Sequence, residues 1–235
     1  MQFTLEIHRC TREDKRRYVQ TFLYSSDNSS ETIATALTNL NSTPLTDISG
    51  NAAAPIVWQC SCLQKKCGAC AMVINGRPGL ACARKLSECG NVVRIEPLHK
   101  FPVVEDLMVD RSIMQENLKM MKLWFDGSAA LTEKNTEISY EASRCLQCGC
   151  CLEVCPNFAP GGTFTGMAAA VPMTRLLSGL SGEERKSASK MYDKHVFEGC
   201  GKSLACRNIC PARIDTDKML VNSNAIAIWK KFFSR

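Results

Sequence analysis

Cys145-Leu146-Gln147-Cys148-Gly149-Cys150-Cys151-Leu152-Glu153-Val154-Cys155-Pro156 sets Cys145, Cys148, Cys151 and Cys155 at intervals of two, two and three residues and closes on proline. Downstream, Cys200-Gly201-Lys202-Ser203-Leu204-Ala205-Cys206 leads on to Cys210-Pro211 and repeats that rhythm, with Ser203 where the second cysteine would stand. Upstream, four residues separate Cys62 from Cys67, two separate Cys67 from Cys70, and Cys82 follows. The later runs have the spacing of bacterial ferredoxins that carry two clusters, and the upstream group has that of plant-type two-iron ferredoxins. Iron–sulfur centres, and with them one-electron transfer, are what these intervals imply.

Composition agrees with that use of the thiols. Among 235 residues there are 15 cysteines, far more than core packing needs, so disulfides or metal must account for them. A disulfide scaffold would normally be shorter and follow a secretory leader. Here Met1 runs straight into Phe3-Thr4-Leu5-Glu6-Ile7, an alternating strand pattern without a basic n-region, apolar h-region or twin arginine. A cytoplasmic location and metal-bound thiols are therefore expected. No apolar run approaches the roughly 18 residues of a membrane span, so attachment to a membrane would go through another chain. The formal net charge of +6 is modest, and Lys15-Arg16-Arg17 and Lys65-Lys66 read as solvated turns or docking faces. A nucleic-acid groove would interleave aromatics with many more basic residues, and no such partner is expected.

The expected fold class is α+β. A plant-type ferredoxin (β-grasp) domain over 1–105 is followed by an all-helical, bacterial-ferredoxin-like domain over 106–235, the boundary falling near Phe101 to Asp110. Phe3, Leu5 and Ile7 share one face of a first strand and Thr4, Glu6 and His8 the other; a charged turn then leads to a second strand over Arg17 to Tyr24. Ser29 or Ser30 is placed to cap a helix over Glu31 to Asn41, with Ile33, Leu37 and Leu40 on one side. Ala71 to Asn75, then Gly76-Arg77, reads as strand and turn, and Val92 to Glu96 as a closing strand. Beyond Arg111, Met114, Leu118, Met121 and Phe125 make one apolar helical stripe, better read as packing than as ligands. Met167 to His195 reads as helices broken at Gly179 and Gly182, and a last helix starts near Asp215 to Asp217 and runs towards Trp229.

Spacing also assigns ligands. Cys62, Cys67 and Cys70 wrap one edge of a two-iron rhomb and Cys82 closes its far side. Gly68 lets backbone N–H groups approach the cluster sulfur. In the bacterial run the last cysteine serves the other cluster. That crossing gives Cys145, Cys148, Cys151 and Cys210 to a four-iron cube, and Cys155, Cys200 and Cys206 to a second centre. Ser203 is a hard, rarely ionised donor, so a three-iron centre is expected there, its rival being a full cube completed by Ser203 or water. Zinc is the competing use of a lone pair of nearby cysteines, and the combined four-cysteine pattern disfavours it. Cys10, Cys60, Cys89 and Cys150 are left over and read as small buried hydrophobes. Cys60 fits the first loop less well than Cys62, and Cys151 rather than Cys150 keeps the interval of two.

With these residues in place the chain resembles the iron–sulfur subunits of succinate dehydrogenase and fumarate reductase complexes. The likeness runs through Cys67-Gly68-Ala69-Cys70-Ala71-Met72, Ile74-Asn75-Gly76-Arg77-Pro78, Leu80-Ala81-Cys82, Glu96-Pro97-Leu98 and Phe101 to Asp110, and through both later cysteine groups. The resemblance implies a flavoprotein partner that carries FAD and the dicarboxylate active site. It implies a relay through [2Fe-2S], [4Fe-4S] and [3Fe-4S] centres, and a membrane-anchor partner exchanging electrons with a quinone. It also implies a peripheral place on the cytoplasmic side of a prokaryotic membrane. The chain itself has no acid–base constellation, its histidines His8, His99 and His195 are scattered, and Gly161 to Gly166 lacks the spacing of a nucleotide-binding loop. Three positions depart from the family. Lys65 stands where a glycine is usual, no tryptophan follows Cys155-Pro156, and Gly201 stands where ubiquinone-linked members often have histidine. Phe164-Thr165-Gly166-Met167-Ala168-Ala169 is similar to a segment of menaquinone-linked members, with Met167 replacing proline. Menaquinone, or an uncommon acceptor, is favoured, with fumarate reduction at least as expected as succinate oxidation. Iron–sulfur subunits of glycolate-oxidase-like and heterodisulfide-reductase-like complexes share the paired runs but usually lack the first domain.

Overall fold

The computed structural model describes residues 1–123 and 133–229. It divides into two compact units, Met1–Asp110 and Arg111–Arg235.

The first unit is built on a five-stranded sheet of order β2-β1-β5-β3-β4. In β1 (Gln2–Cys10) the alternating residues Phe3, Leu5 and Ile7 are buried, as period-two patterning requires. β2 (Arg17–Ser25) pairs with it antiparallel, from Gln2↔Ser25 to Cys10↔Arg17. β5 (Val92–Glu96) runs parallel to β1 on its other side. β3 (Ala71–Ile74) and β4 (Arg77–Leu80) form a hairpin about Asn75 and Gly76, at φ of 49° and 73°. Two successive left-handed residues make the turn that matches strand twist, and Asn-Gly is the pair that adopts it most readily.

Helix α1 (Ile33–Leu40) starts later than the sequence suggests, capped by Thr32, whose hydroxyl accepts from the Thr35 N–H at 3.2 Å. Neither Ser29 nor Ser30 caps it, because Glu31 is held outside the helix. Its carboxylate binds the Tyr24 hydroxyl and Asn39 Nδ2, and its carbonyl accepts from the Leu86 N–H at 2.9 Å. The short strands β6 (Val103–Glu105) and β7 (Met108–Val109) pair with each other, and the Asp110 N–H donates to Pro102 O at 2.8 Å. These contacts belong to the first unit, which runs through Asp110.

Arg9 occupies the core-facing position that follows Phe3, Leu5 and Ile7 and is only 4% exposed. Its Nε lies 2.9 Å from Asp106 Oδ1, close enough for an ion pair although the N–H is not aligned for a hydrogen bond. The two terminal nitrogens carry the hydrogen bonds, to Gln20 Oε1 and to the carbonyls of Ala54 and Pro55 at 3.0–3.2 Å. Asp106 in turn accepts from the N–H groups of Cys10 and Val57. A buried charge is tolerable only with partners of this kind. The network ties down the 54–57 segment, which leads into the first cysteine group.

The second unit is helical. Its elements are α2 (Ser112–Met120), α3 (Glu133–Ser143), α4 (Cys150–Glu153), α5 (Met167–Gly179), α6 (Gly182–Tyr192) and α7 (Thr216–Asn224). Single wider, π-helical turns follow α6 at Asp193–Phe197 and α7 at Ala225–Trp229. Helix α5 supplies much of the core: Ala169, Ala170, Met173 and Leu177 pack with Met121, Tyr192 and Met219. Met114 and Met121 are buried and Leu118 half-buried, as a packing stripe should be, while Phe125 lies outside the described residues. Helices α5 and α6 end and begin at Gly179 and Gly182, and Asp215 caps α7 by accepting from the Lys218 N–H at 3.0 Å. Pro172 sits inside α5. Having no N–H, it leaves the carbonyl of Ala168, one turn earlier, without its helical donor.

Candidate iron–sulfur centres

In the first unit the chain between Cys62 and Cys67 turns inward because Leu63 and Lys65 both adopt left-handed backbone, φ 52° and 61°. That alternation aims the N–H groups of Gln64 and Lys66 at Cys62 Sγ, each at 3.3 Å, and the Ala69 N–H reaches Cys67 Sγ at 3.5 Å. Left-handed backbone is free of cost only for glycine, so Leu63 and Lys65 hold this loop against their own preference. Gln64, Lys66 and Ala69 thus donate to sulfur in this loop, with Gly68 itself at φ 76°. The β3–β4 hairpin brings Cys82 back beside Cys70, their sulfurs 3.4 Å apart and both residues buried. The backbone donors at Gln64 and Lys66 draw the Cys62 thiol down to about 7, whereas burial pushes Cys70 up to about 12.

In the second unit Cys145, Cys148, Cys151 and Cys210 line one cavity. Gly149 (φ 87°) turns the chain into α4, so that Cys148 and Cys151 both face it. Burial pushes Cys145 up to about 11 and holds Cys151 well above the usual thiol range, while the Cys150 thiol, donating to Cys148, draws that sulfur down to about 7. Cys150 is fully buried and lines neither this cavity nor its neighbour.

That neighbour is lined by Cys151, Cys155, Cys200 and Cys206 together with Ser203, Phe164 and Met167. Cys151 and Met167 are common to both walls. Ser203 is exposed and its hydroxyl accepts only a long contact from the Ala205 N–H at 3.5 Å. Asn157 donates to Gly199 O at 2.7 Å, and a Cβ on Gly201 would meet its amide nitrogen at 2.7 Å, so no larger residue fits there unless Asn157 moves. Among the described residues no three His, Cys, Asp or Glu groups converge tightly enough to grip a single ion. Thiols spread around a cavity suit an inorganic cluster several ångströms across.

The histidines lie elsewhere. His195 is buried with Nδ1 2.9 Å from Thr163 O, and the Nε2 atoms of His8 and His99 lie 3.4 and 3.6 Å from Glu96 Oε1. Of the surplus cysteines, Cys10 and Cys150 are buried, Cys89 half-buried and Cys60 exposed. A further cavity of about 310 Å³, walled by Tyr192, Phe197, Leu220 and Trp229, also touches Cys200. Sequence reasoning missed it, because three aromatics scattered over one helix and two π-helical turns carry no common spacing.

A sheet unit holding one thiol quartet, followed by a helical unit with paired thiol-lined cavities, defines an iron–sulfur electron carrier. Residues 4–116 match the family model of a 2Fe-2S iron-sulfur cluster binding domain, and residues 141–214 that of a 4Fe-4S dicluster domain. The chain is 35% identical to the succinate dehydrogenase iron-sulfur subunit of Bacillus subtilis, over 77% of this chain and 76% of that one. It is 30% identical to the fumarate reductase iron-sulfur subunit of Haemophilus influenzae, over 67% and 70% respectively. Its fold matches a chain of the Mycobacterium smegmatis Sdh1 complex in the apo form, with a TM-score of 0.77 and 24% identity over 98% of this chain and 97% of that one. The chain belongs to the family of succinate dehydrogenase and fumarate reductase iron–sulfur subunits.

Proposed function

We propose that this chain relays single electrons between an FAD-bearing flavoprotein, which interconverts succinate and fumarate, and a quinone held at a membrane-anchor subunit. The bound clusters supply the redox chemistry; the chain's own residues supply ligands, burial and hydrogen bonds. Cys62, Cys67, Cys70 and Cys82 hold [2Fe-2S] in a β-grasp domain. Cys145, Cys148, Cys151 and Cys210 hold [4Fe-4S], and Cys155, Cys200 and Cys206 hold [3Fe-4S]. The observation that carries this reading is the grouping of thiols about two cavities with Cys151 and Met167 as common wall. Ser203, an exposed hydroxyl in place of a thiol, supports three irons rather than four in the second centre.

The aromatic cavity beside Cys200 supports electron exchange with a quinone next to the three-iron centre. The missing tryptophan after Pro156 and the Phe164 to Ala169 segment favour menaquinone, with fumarate reduction at least as expected as succinate oxidation. No helix among the described residues is long and apolar enough to cross a membrane, which supports a peripheral subunit, here assigned to the cytoplasmic face. The test is anaerobic purification of the complex with iron analysis, EPR and turnover assays. About nine irons per chain, an oxidised three-iron signal and faster turnover with menaquinone than ubiquinone analogues are expected. Far fewer irons after reconstitution would overturn the cluster assignment, and preference for ubiquinone analogues would overturn the choice of quinone.

A further inference from the structure

We propose that Gln147 tunes the four-iron centre: its side-chain amide donates a hydrogen bond to the sulfur of Cys145 and thereby raises the potential of the cluster that sulfur holds. The proposal rests on the ligand assignment above. Gln147 Nε2 lies 3.2 Å from Cys145 Sγ and 2.9 Å from the carbonyl oxygen of Ala168. That carbonyl is the one Pro172 leaves without a helical donor. A primary amide carries two N–H groups, so a single nitrogen can serve the carbonyl and the sulfur together.

Pro172 therefore fixes which way the amide points. Turned over, its oxygen would face two acceptors, the Ala168 carbonyl and a ligand sulfur. In the observed orientation Gln147 Oε1 is buried and has no hydrogen-bond partner among the described residues, and the residue's own backbone is left-handed at φ 49°. Both features cost stability. An apolar side chain would escape the first, so the geometry that persists is one that delivers an N–H to sulfur. Reduction adds negative charge to the cluster and its ligand sulfurs, so a donor aimed at sulfur favours the reduced form.

The test is EPR-monitored redox titration of the assembled complex carrying Gln147→Leu. The reduced four-iron signal and iron content should match wild type. The midpoint should fall by the equivalent of about a tenfold change in the reduction equilibrium, about 59 mV for one electron. Pro172→Ala, which returns an N–H to the Ala168 carbonyl and removes the clamp, should shift it the same way by less. Should Gln147→Leu fail to load iron, Gln147→Met, of similar length and without donors, carries the same expectation. An intact four-iron signal with an unchanged midpoint overturns the role of Gln147. Absence of any four-iron signal in wild type would instead overturn the ligand assignment.

Discussion

Replacing Asp106 with alanine should unfold the first unit well before the rest of the protein loses stability. Arg9 and Asp106 are 4% and 3% exposed, and Asp106 answers three groups at once: the guanidinium at 2.9 Å and the N–H groups of Cys10 and Val57 at 3.1 and 2.9 Å. Alanine leaves the buried Arg9 cation without its counter-charge and the N–H groups of Cys10 and Val57 without their acceptor. Removing one member of such a pair costs about 3–5 kcal/mol. For a unit of this size each kcal/mol lowers the midpoint by roughly 4 °C or more, so a loss of about 12–20 °C or larger follows. Visible circular dichroism of the two-iron chromophore during thermal unfolding of the purified complex reads it, since the same network secures the segment entering that loop. The double variant Arg9→Leu with Asp106→Leu should be milder than Asp106→Ala, because no charge is stranded. A single variant melting within about 3 °C of wild type would refute the reasoning, since about 1 kcal/mol is what one exposed contact is worth.

Ser203→Cys places a thiol on the wall of the second cavity; the oxidised three-iron EPR signal should disappear with a gain of iron, and persistence of the signal would contradict the role given to Ser203. Gly199→Ala would set a Cβ 2.6 Å from Phe164, a residue of the same cavity wall, so overpacking should cost about 1–3 kcal/mol and deplete that centre first, measured by iron analysis and melting. In iron-free protein the alkylation rate of Cys62 should follow a thiolate with midpoint near 7, falling about tenfold per pH unit below it, while Cys70, pushed up to about 12, stays slow throughout. Residue-resolved mass spectrometry across pH checks this, and an ordinary thiol midpoint at Cys62 would contradict the donors at Gln64 and Lys66.

What could be read from sequence was local. Phe3, Leu5 and Ile7 announce a strand by their period, and Asn75-Gly76 announces a tight hairpin because both residues tolerate left-handed backbone. Arg9 falls in phase with the buried residues before it, yet the sequence alone does not say that Asp106 waits to neutralise it. Helix α1 starts later than a capping rule places it for the same reason: Glu31 is drawn off by Tyr24 and Asn39, contacts invisible to that rule. The cysteine intervals single out the thiols, but which of them share a cavity wall is decided by the fold. They could not show that Leu63 and Lys65 would take glycine-like conformations, since neither residue type marks the position. Nor could they show that a proline in α5 would aim Gln147 at Cys145, a link that exists only once α5 has packed against the cysteine loop.

The crossing of ligands in the second unit makes folding and cluster loading one problem. On the proposed assignment Cys155 leaves the first run for the centre of the second, and Cys210 returns from the second to the centre of the first. Each centre therefore closes a loop that contains α5 and α6. Loop-closure cost grows only with the logarithm of length, so spanning two helices is little dearer than spanning one turn. The gain is that neither cysteine run can hold a complete centre without the helices between them in place. Ala169, Ala170 and Met173 of α5 pack in the core while Met167 at its start stands between the cavities. The helix that stabilises the unit is thus also the spacer that sets how far apart the two centres lie. A shift of α5 would alter the core, the orphan carbonyl that holds Gln147 and the shared wall together, which ties the potential of the relay to the packing of the fold.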